Sequence, residues 1–141
     1  MKHVFMDTNV VIDFLADRRP FSLDVAKLFD LAIAEKARIY ISAVSYNNIY
    51  YVLRQSLTNA ATIRLLEDLA EMTEIVDVTG SIIWQSLKTD FKDYEDSIQY
   101  YCALSVPHVD FIVMRNTKDF KKSKLPVLTP SEAIISMGYI S

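Results

Sequence analysis

The sequence is poor in the residues on which several common functions depend. It has two glycines, Gly80 and Gly138, far apart in the chain. Dinucleotide fingerprints and Walker loops need grouped glycines, so that backbone N–H groups can approach phosphate; neither motif can be built here. The one cysteine, Cys102, excludes an internal disulfide and a cysteine-based zinc site, and it fits a reducing compartment. Histidine is nearly as scarce: His3 and His108 have no partner at metal or triad spacing. No serine sits in a nucleophile elbow, which removes acyl transfer. No apolar run approaches the ~20 residues of a membrane span. Asp7 and Asp13 also interrupt what would be the apolar core of a signal peptide, so the expected location is the cytoplasm. An excess of cations is missing too. With a formal net charge of -3 the chain is no general polyanion binder, and any contact with nucleic acid needs a local basic patch.

What is present is an ordinary globular composition. Of 141 residues, 51% are hydrophobic and 23% charged, which fits one core and a single domain over residues 1–141. Short apolar runs alternate with helical periodicity. "HVFM" (3–6), "RIYI" (38–41), "EIVDV" (74–78), "DFIVM" (110–114) and "PVLT" (126–129) read as strands. Between the first two, Phe21, Val25, Leu28, Phe29, Ala32 and Ile33 recur at helical spacing, with Ser22 as the expected N-cap. Ser42 is placed to cap the next helix, "AVSYNNIYYVLRQSL". "TNAATIRLLEDLAEM" puts Ile63, Leu66 and Leu69 or Ala70 on one stripe. Helices are also expected around "SIIWQSL" and over "YEDSIQYYCALSV". A final helix, over "TPSEAIISMG", is opened by a Thr129–Glu132 capping box with Pro130 at its first position, and Gly138 suits its end. Strands separated by helices predict the α/β class: a three-layer α/β/α sandwich with a central parallel sheet of about five short strands.

In such sheets ligands gather at the carboxyl ends of the strands. There, "VFMDTNVVIDF" sets Asp7 directly after the first strand, with apolar residues on both sides. An unpaired buried carboxylate is costly, so this charge must be hydrogen-bonded, neutralised or met by a cation. Asp90, Asp93, Glu95 and Asp96 crowd the start of the helix at 94–106, where Asp93, Asp96 and Tyr100 are expected to share a face. "RNTKDF", after the fourth strand, adds Asn116 and Asp119. Three elements distant in sequence thus bring an acid to one edge. Converging carboxylates raise each other's pKa unless a cation sits among them, and an oxygen-only donor set suits Mg2+ or Mn2+. Such ions assist attack on phosphodiesters. Each acid alone also has a plainer reading: Asp7 and Asp119 as caps, and the acids near Tyr94 as partners of the helix dipole.

These segments carry a resemblance that runs the length of the chain. "VFMDTNVVIDF", "ISAVSYNNIYYVL", "YEDSIQYYCAL" and "VDFIVMRNTKDF" followed by "PVLTPSEAI" together resemble a PIN domain, and within that superfamily the VapC-type toxins of bacterial toxin–antitoxin pairs. The resemblance implies a metal-dependent ribonuclease of α/β/α architecture, with Mg2+ or Mn2+ as cofactor. RNA is then the substrate and a small antitoxin protein a partner, and pairing into a homodimer is common among such proteins. Position by position, it assigns Asp7, Asp96 and Asp119 as catalytic metal ligands. Thr8 and Asn9 support Asp7, and Asn116 orients the site. One position departs from the pattern. Where the helix after "ISAVS" usually carries a glutamate, this chain has Asn48, which offers a carbonyl oxygen but no charge. Asp93 is placed to compensate. The alternative reading is therefore a catalytically weakened PIN domain that binds RNA or protein. A third, phosphoryl transfer through Asp7, lacks the second aspartate it needs, because Asn9 stands there.

The most basic stretch is "RNTKDFKKSK". Its Arg115, Lys118, Lys121 and Lys122, with Lys124 behind them, are candidates for an RNA backbone, against the plainer reading of a solvated loop. Arg18 and Arg19 are weaker candidates. Tyr46, Tyr50, Tyr51, Tyr94, Tyr100 and Tyr101 suggest base-stacking or interface surfaces, although helical spacing favours core packing for most of them. Cys102, mid-helix among apolar residues, reads as an inert core thiol.

Overall fold

The computed structural model describes residues 1–120 and 122–138, with the side chain of Asp119 outside the described set. In chain order the elements are β1 Lys2–Met6, α1 Thr8–Leu15, α2 Phe21–Ile33, β2 Ala37–Ser42, α3 Ala43–Leu53 and α4 Asn59–Met72. They continue with β3 Glu74–Val76, α5 Gly80–Leu87, α6 Tyr94–Ser105, β4 Phe111–Val113, a 3-10 turn at Lys118–Phe120, β5 Val127–Leu128 and α7 Pro130–Ser136. Among the described residues the five strands form one sheet of order β3-β2-β1-β4-β5. Every pairing is parallel, with Val4 opposite both Ile39 and Phe111 at the centre.

Alternation along β1 explains the layers. Val4 and Met6 point to one face, where they join Ile39, Ile41, Phe111 and Val113 beneath α1, α2, α3, α4 and α7. Phe5 points to the other and packs with Ile112 and Val76 against Ile82 of α5 and Ile98 of α6. A strand buried on both faces has to be apolar throughout, which is why the three last residues of β1 and all of β4 are buried. This is the expected sandwich.

The strand order also locates a crevice. The chain leaves β1 towards β2 and β3, then crosses to β4 on the opposite side of β1. The carboxyl ends of β1 and β4 therefore flank the point where the connections diverge, and such a point leaves an opening. The Asp7 N–H donates to the Val113 carbonyl at 3.0 Å and ties the two strand ends together.

Several local expectations are corrected. Ser22 is not an N-cap: α2 starts at Phe21, with Pro20 in the cap position two residues earlier, and the buried Ser22 hydroxyl donates to Asp17 at 2.7 Å. The buried stripe of α4 centres on Thr62 and Leu69, with Leu65 and Leu66 packed beside it and Ile63 exposed. The helix after Ser42 ends at Leu53, where the chain closes into a turn. The Ser42 cap itself is observed, as is the Thr129–Glu132 capping box, with Gly138 in the left-handed region at φ 75° just past the end of α7.

Candidate active site

Asp7 holds the position between β1 and α1. Its backbone is extended, and its carboxylate accepts the Asn9 N–H, so the residue is the N-cap of α1. It is also only 8% exposed. Burial pushes its carboxyl up to about 6, against the lowering effect of the Asn9 and Thr8 N–H groups, and the charges of Glu95 and Asp93 add to the rise. An ordinary cap would be solvated and unshifted. This one sits in a shared acidic environment.

Two adjoining clefts open on Asp7. One, of about 350 Å3, runs between α3 and α6: Asn48 and Tyr51 line it from α3, and Glu95, Asp96 and Gln99 from α6. The other, of about 240 Å3, faces the end of β4 and is lined by Asp93, Asp96, Met114, Arg115 and Asn116. Asp7, Asn9 and Asp96 belong to both.

A buried polar network underlies the first cleft. The Thr8 and Ser45 hydroxyls are 2.6 Å apart, and Ser45 is 2.8 Å from the Ser42 hydroxyl. The Gln99 amide donates to this trio, at 3.3 Å to Thr8, 3.1 Å to Ser42 and 3.2 Å to Ser45. Its own carbonyl oxygen, equally buried, has no hydrogen-bond partner among the described residues. The network joins α1, β2, α3 and α6 at the floor of the cleft, and so fixes their relative positions.

The family model of the PIN domain matches residues 3–118. The chain belongs to the PIN domain family. It is 25% identical over 134 residues to Ribonuclease VapC1 of Aquifex aeolicus, covering 92% of this chain and 91% of that protein. Among solved structures it is similar to a toxin–antitoxin complex from Klebsiella pneumoniae, at 23% identity and TM-score 0.66 over 90% of this chain and 97% of that one. It is likewise similar to VapC20 of Mycobacterium tuberculosis, described as a sarcin-ricin loop cleaving toxin. That match has 10% identity and TM-score 0.65 over 84% of this chain and 94% of that one.

Within this PIN domain, Asp7, Thr8, Asn9, Asn48 and Asp96 come together in the first cleft. Asp93 and Asn116 line the second. Asp93 is not on a helix face with Asp96 and Tyr100. It is the N-cap of α6, extended in backbone, and its carboxylate accepts the Asp96 N–H at 3.1 Å. Tyr100 is 5% exposed and packs against Phe91 and Phe120 in the second core cluster. Asn116 accepts the Lys118 N–H at 3.2 Å and so shapes its own turn. The backbone of Asp119 is the middle of the 3-10 turn beyond, but its side chain, like the whole of Lys121, lies outside the described residues. Among the described residues no group of three or more His, Cys, Asp or Glu is arranged to hold a metal ion.

The basic residues divide. Arg115 forks onto Asp13 of α1, donating its Nε–H to one oxygen at 3.0 Å and a terminal guanidinium N–H to the other, and it lies over the Phe21 ring at 4.5 Å. Asp13 is 1% exposed and also meets Arg18 at 3.9 Å. Arg115 is therefore a structural partner at the rim of the second cleft. Lys122 pairs with Asp90 at 2.9 Å, both exposed, and Lys118 is exposed.

Gln99 is not singled out as a site residue from sequence, while Glu95 stands there only among the acids crowding a helix start and Tyr51 only among several tyrosines offered for base stacking. Gln99 lies three residues after Asp96, so its place on the same helix face was readable from spacing. Glu95 was hidden among neighbouring acids that suit any helix start. The hydroxyls of Ser42 and Ser45 gave no such signal.

Proposed function

We propose that this PIN domain is a metal-dependent endoribonuclease and the toxin of a toxin–antitoxin pair. The observation that carries the reading is the joint presence of Asp7 and Asp96 in one cleft at the carboxyl end of β1, with Asp7 raised chiefly by burial and in smaller measure by the charges of Glu95 and Asp93. Carboxylates that repel one another in a partly dry cleft gain from a cation between them, and hard oxygen donors select Mg2+ or Mn2+. Asp7, Asp96 and Asp119 would hold it, with the Asn48 carbonyl oxygen and Glu95 beside them. Such an ion supplies Lewis acidity and neutralises charge on a phosphodiester. The chain's own part is positional. The Asn9 N–H fixes the Asp7 carboxylate, the Asp93 cap sets the first turn of α6, and the Thr8–Ser45–Gln99 network holds α1, α3 and α6 in register.

Similarity to Ribonuclease VapC1 and to the Klebsiella pneumoniae complex supports RNA as substrate and a small antitoxin as partner. Homodimer formation belongs to the same reading, and sedimentation of the purified protein tests it. The test of the activity is cleavage of single-stranded RNA in Mg2+ or Mn2+, with Asp7→Asn and Asp96→Asn run alongside. We expect each variant to lose ~100-fold or more. Equal cleavage by all three proteins removes both acids from the mechanism.

Asn48 in the first cleft favours one second reading, a PIN domain that binds RNA without cutting it. A protein that binds RNA but cuts none at saturating Mn2+ would have that character. If Asn48→Glu then restored cleavage, the missing charge would be the cause.

A further inference from the structure

Helix α3 leaves a large aromatic side chain in solvent beside the acidic cleft. Tyr51 is 65% exposed, yet it lines the same cleft as Asp7, Asn48 and Asp96. It stands three residues after Asn48, so both side chains rise from one face of α3. Nor is it an unsupported side chain. Its ring meets that of Tyr50 edge-on, with centroids 5.3 Å apart at 85°, and the Tyr50 hydroxyl is anchored to Asn59 at the start of α4 at 2.5 Å. A braced ring at the mouth of a cleft loses little conformational freedom on binding, and its open face offers the flat apolar surface that an unstacked base seeks.

We propose that Tyr51 is a substrate-positioning residue that stacks on an unpaired nucleobase next to the phosphodiester to be cut in the cleft of Asp7 and Asp96. The inference rests on the ribonuclease reading above and adds to it the residue that receives the base. Geometry favours a base over a protein side chain. The ring shares its concavity with the acids, so a nucleotide whose phosphate lies near them has its base within reach of α3. In a duplex that base is already stacked and paired, and its face is closed to the ring. The Tyr51 hydroxyl has no part in stacking, so phenylalanine should serve as well.

The experiment uses a short single-stranded oligoribonucleotide carrying one 2-aminopurine, whose fluorescence falls when the base stacks. It is titrated with Asp7→Asn protein, which binds without turnover, and with the same protein carrying Tyr51→Phe, Tyr51→Leu or Tyr51→Ala. We expect quenching with Asp7→Asn alone and with added Tyr51→Phe, its loss with Leu and Ala, and ~10-fold or greater weakening of binding in those two. A duplex of the same sequence should neither quench nor compete. In the cleaving protein, Tyr51→Ala should raise KM for single-stranded RNA far more than it lowers kcat. Quenching and affinity unchanged in Tyr51→Ala would overturn the inference, while cleavage by the wild type left the ribonuclease reading standing. Equal losses in Phe and Ala would overturn it too, since they would place the interaction at the hydroxyl. Failure of the wild type to bind or cut any RNA would sink both readings together.

Discussion

Asp7 carries two roles that pull in opposite directions. As N-cap of α1 it is satisfied by the Asn9 N–H, and an asparagine would cap as well. As a carboxylate it is buried near Glu95 and Asp93, and its pKa rises from 3.8 to about 6. The folded chain therefore holds a proton that the unfolded chain releases between those values. Stability contributed by this site is complete when the carboxyl is protonated and is lost as pH rises through about 6. Metal-free Asp7→Asn should thus be more stable than the wild type at pH 7.5, by about 2–3 kcal/mol, with the gain shrinking towards pH 4. Urea melts across that pH range measure it, and an Asn variant less stable at neutral pH would contradict it. A gain in stability paired with loss of cleavage is the expected mark of a residue kept for chemistry. Cys102 is the contrast. It is fully buried, and desolvation pushes its thiol up to about 11, so it stays protonated. Ellman's reagent at pH 8 should leave the native protein unmodified and react once it is unfolded in urea.

At the scale of elements, the connection after β4 is held to α1 by one fork. Arg115 grips Asp13, a residue with 2% of its side chain exposed, and its guanidinium lies over Phe21 at the start of α2. Removing the cation leaves a buried carboxylate whose remaining ion pair, among the described residues, is the 3.9 Å contact to Arg18. Arg115→Ala should cost about 3 kcal/mol of stability, and Arg115→Lys should recover only part of it, because lysine has no fork. Denaturant midpoints decide the matter; unchanged stability would mean that this arginine is available for RNA after all. The sequence reading had placed Arg115 among RNA contacts because local composition reveals charge but not its partner 102 residues away. The same limit explains the other differences. Strand runs, the Ser42 cap and the Thr129–Glu132 box are local patterns, and they were legible. Whether a polar residue such as Thr62 faces inward depends on what α4 packs against, and helical spacing alone put Ile63 there instead. Asp93 was read as a helix-face acid, although a residue just before a helix start serves the orphan N–H groups first.

For the whole molecule, the topology does what no single segment can. Crossing from β3 to β4 past β1 leaves a crevice beside the ends of β1 and β4. Asp7 and Asn116 follow those two strands, and α6 brings Asp96 across from the other face of the sheet. An arrangement with several carboxylates around one cleft, in a chain already of net charge -3, should be stabilised by whatever divalent ion it binds. Binding to the folded state alone contributes about 2.7 kcal/mol when the ion stands at a hundredfold its Kd, which for a domain of this size is on the order of 5–10 °C in Tm. Mn2+ added to the wild type should therefore raise its melting temperature in a saturable way that EDTA reverses. Asp7→Asn and Asp96→Asn should start at or above the wild-type value without metal and gain little with it. If all three proteins respond alike, the ion binds elsewhere on the surface, and the cleft around Asp7 is an acidic pocket without a metal function.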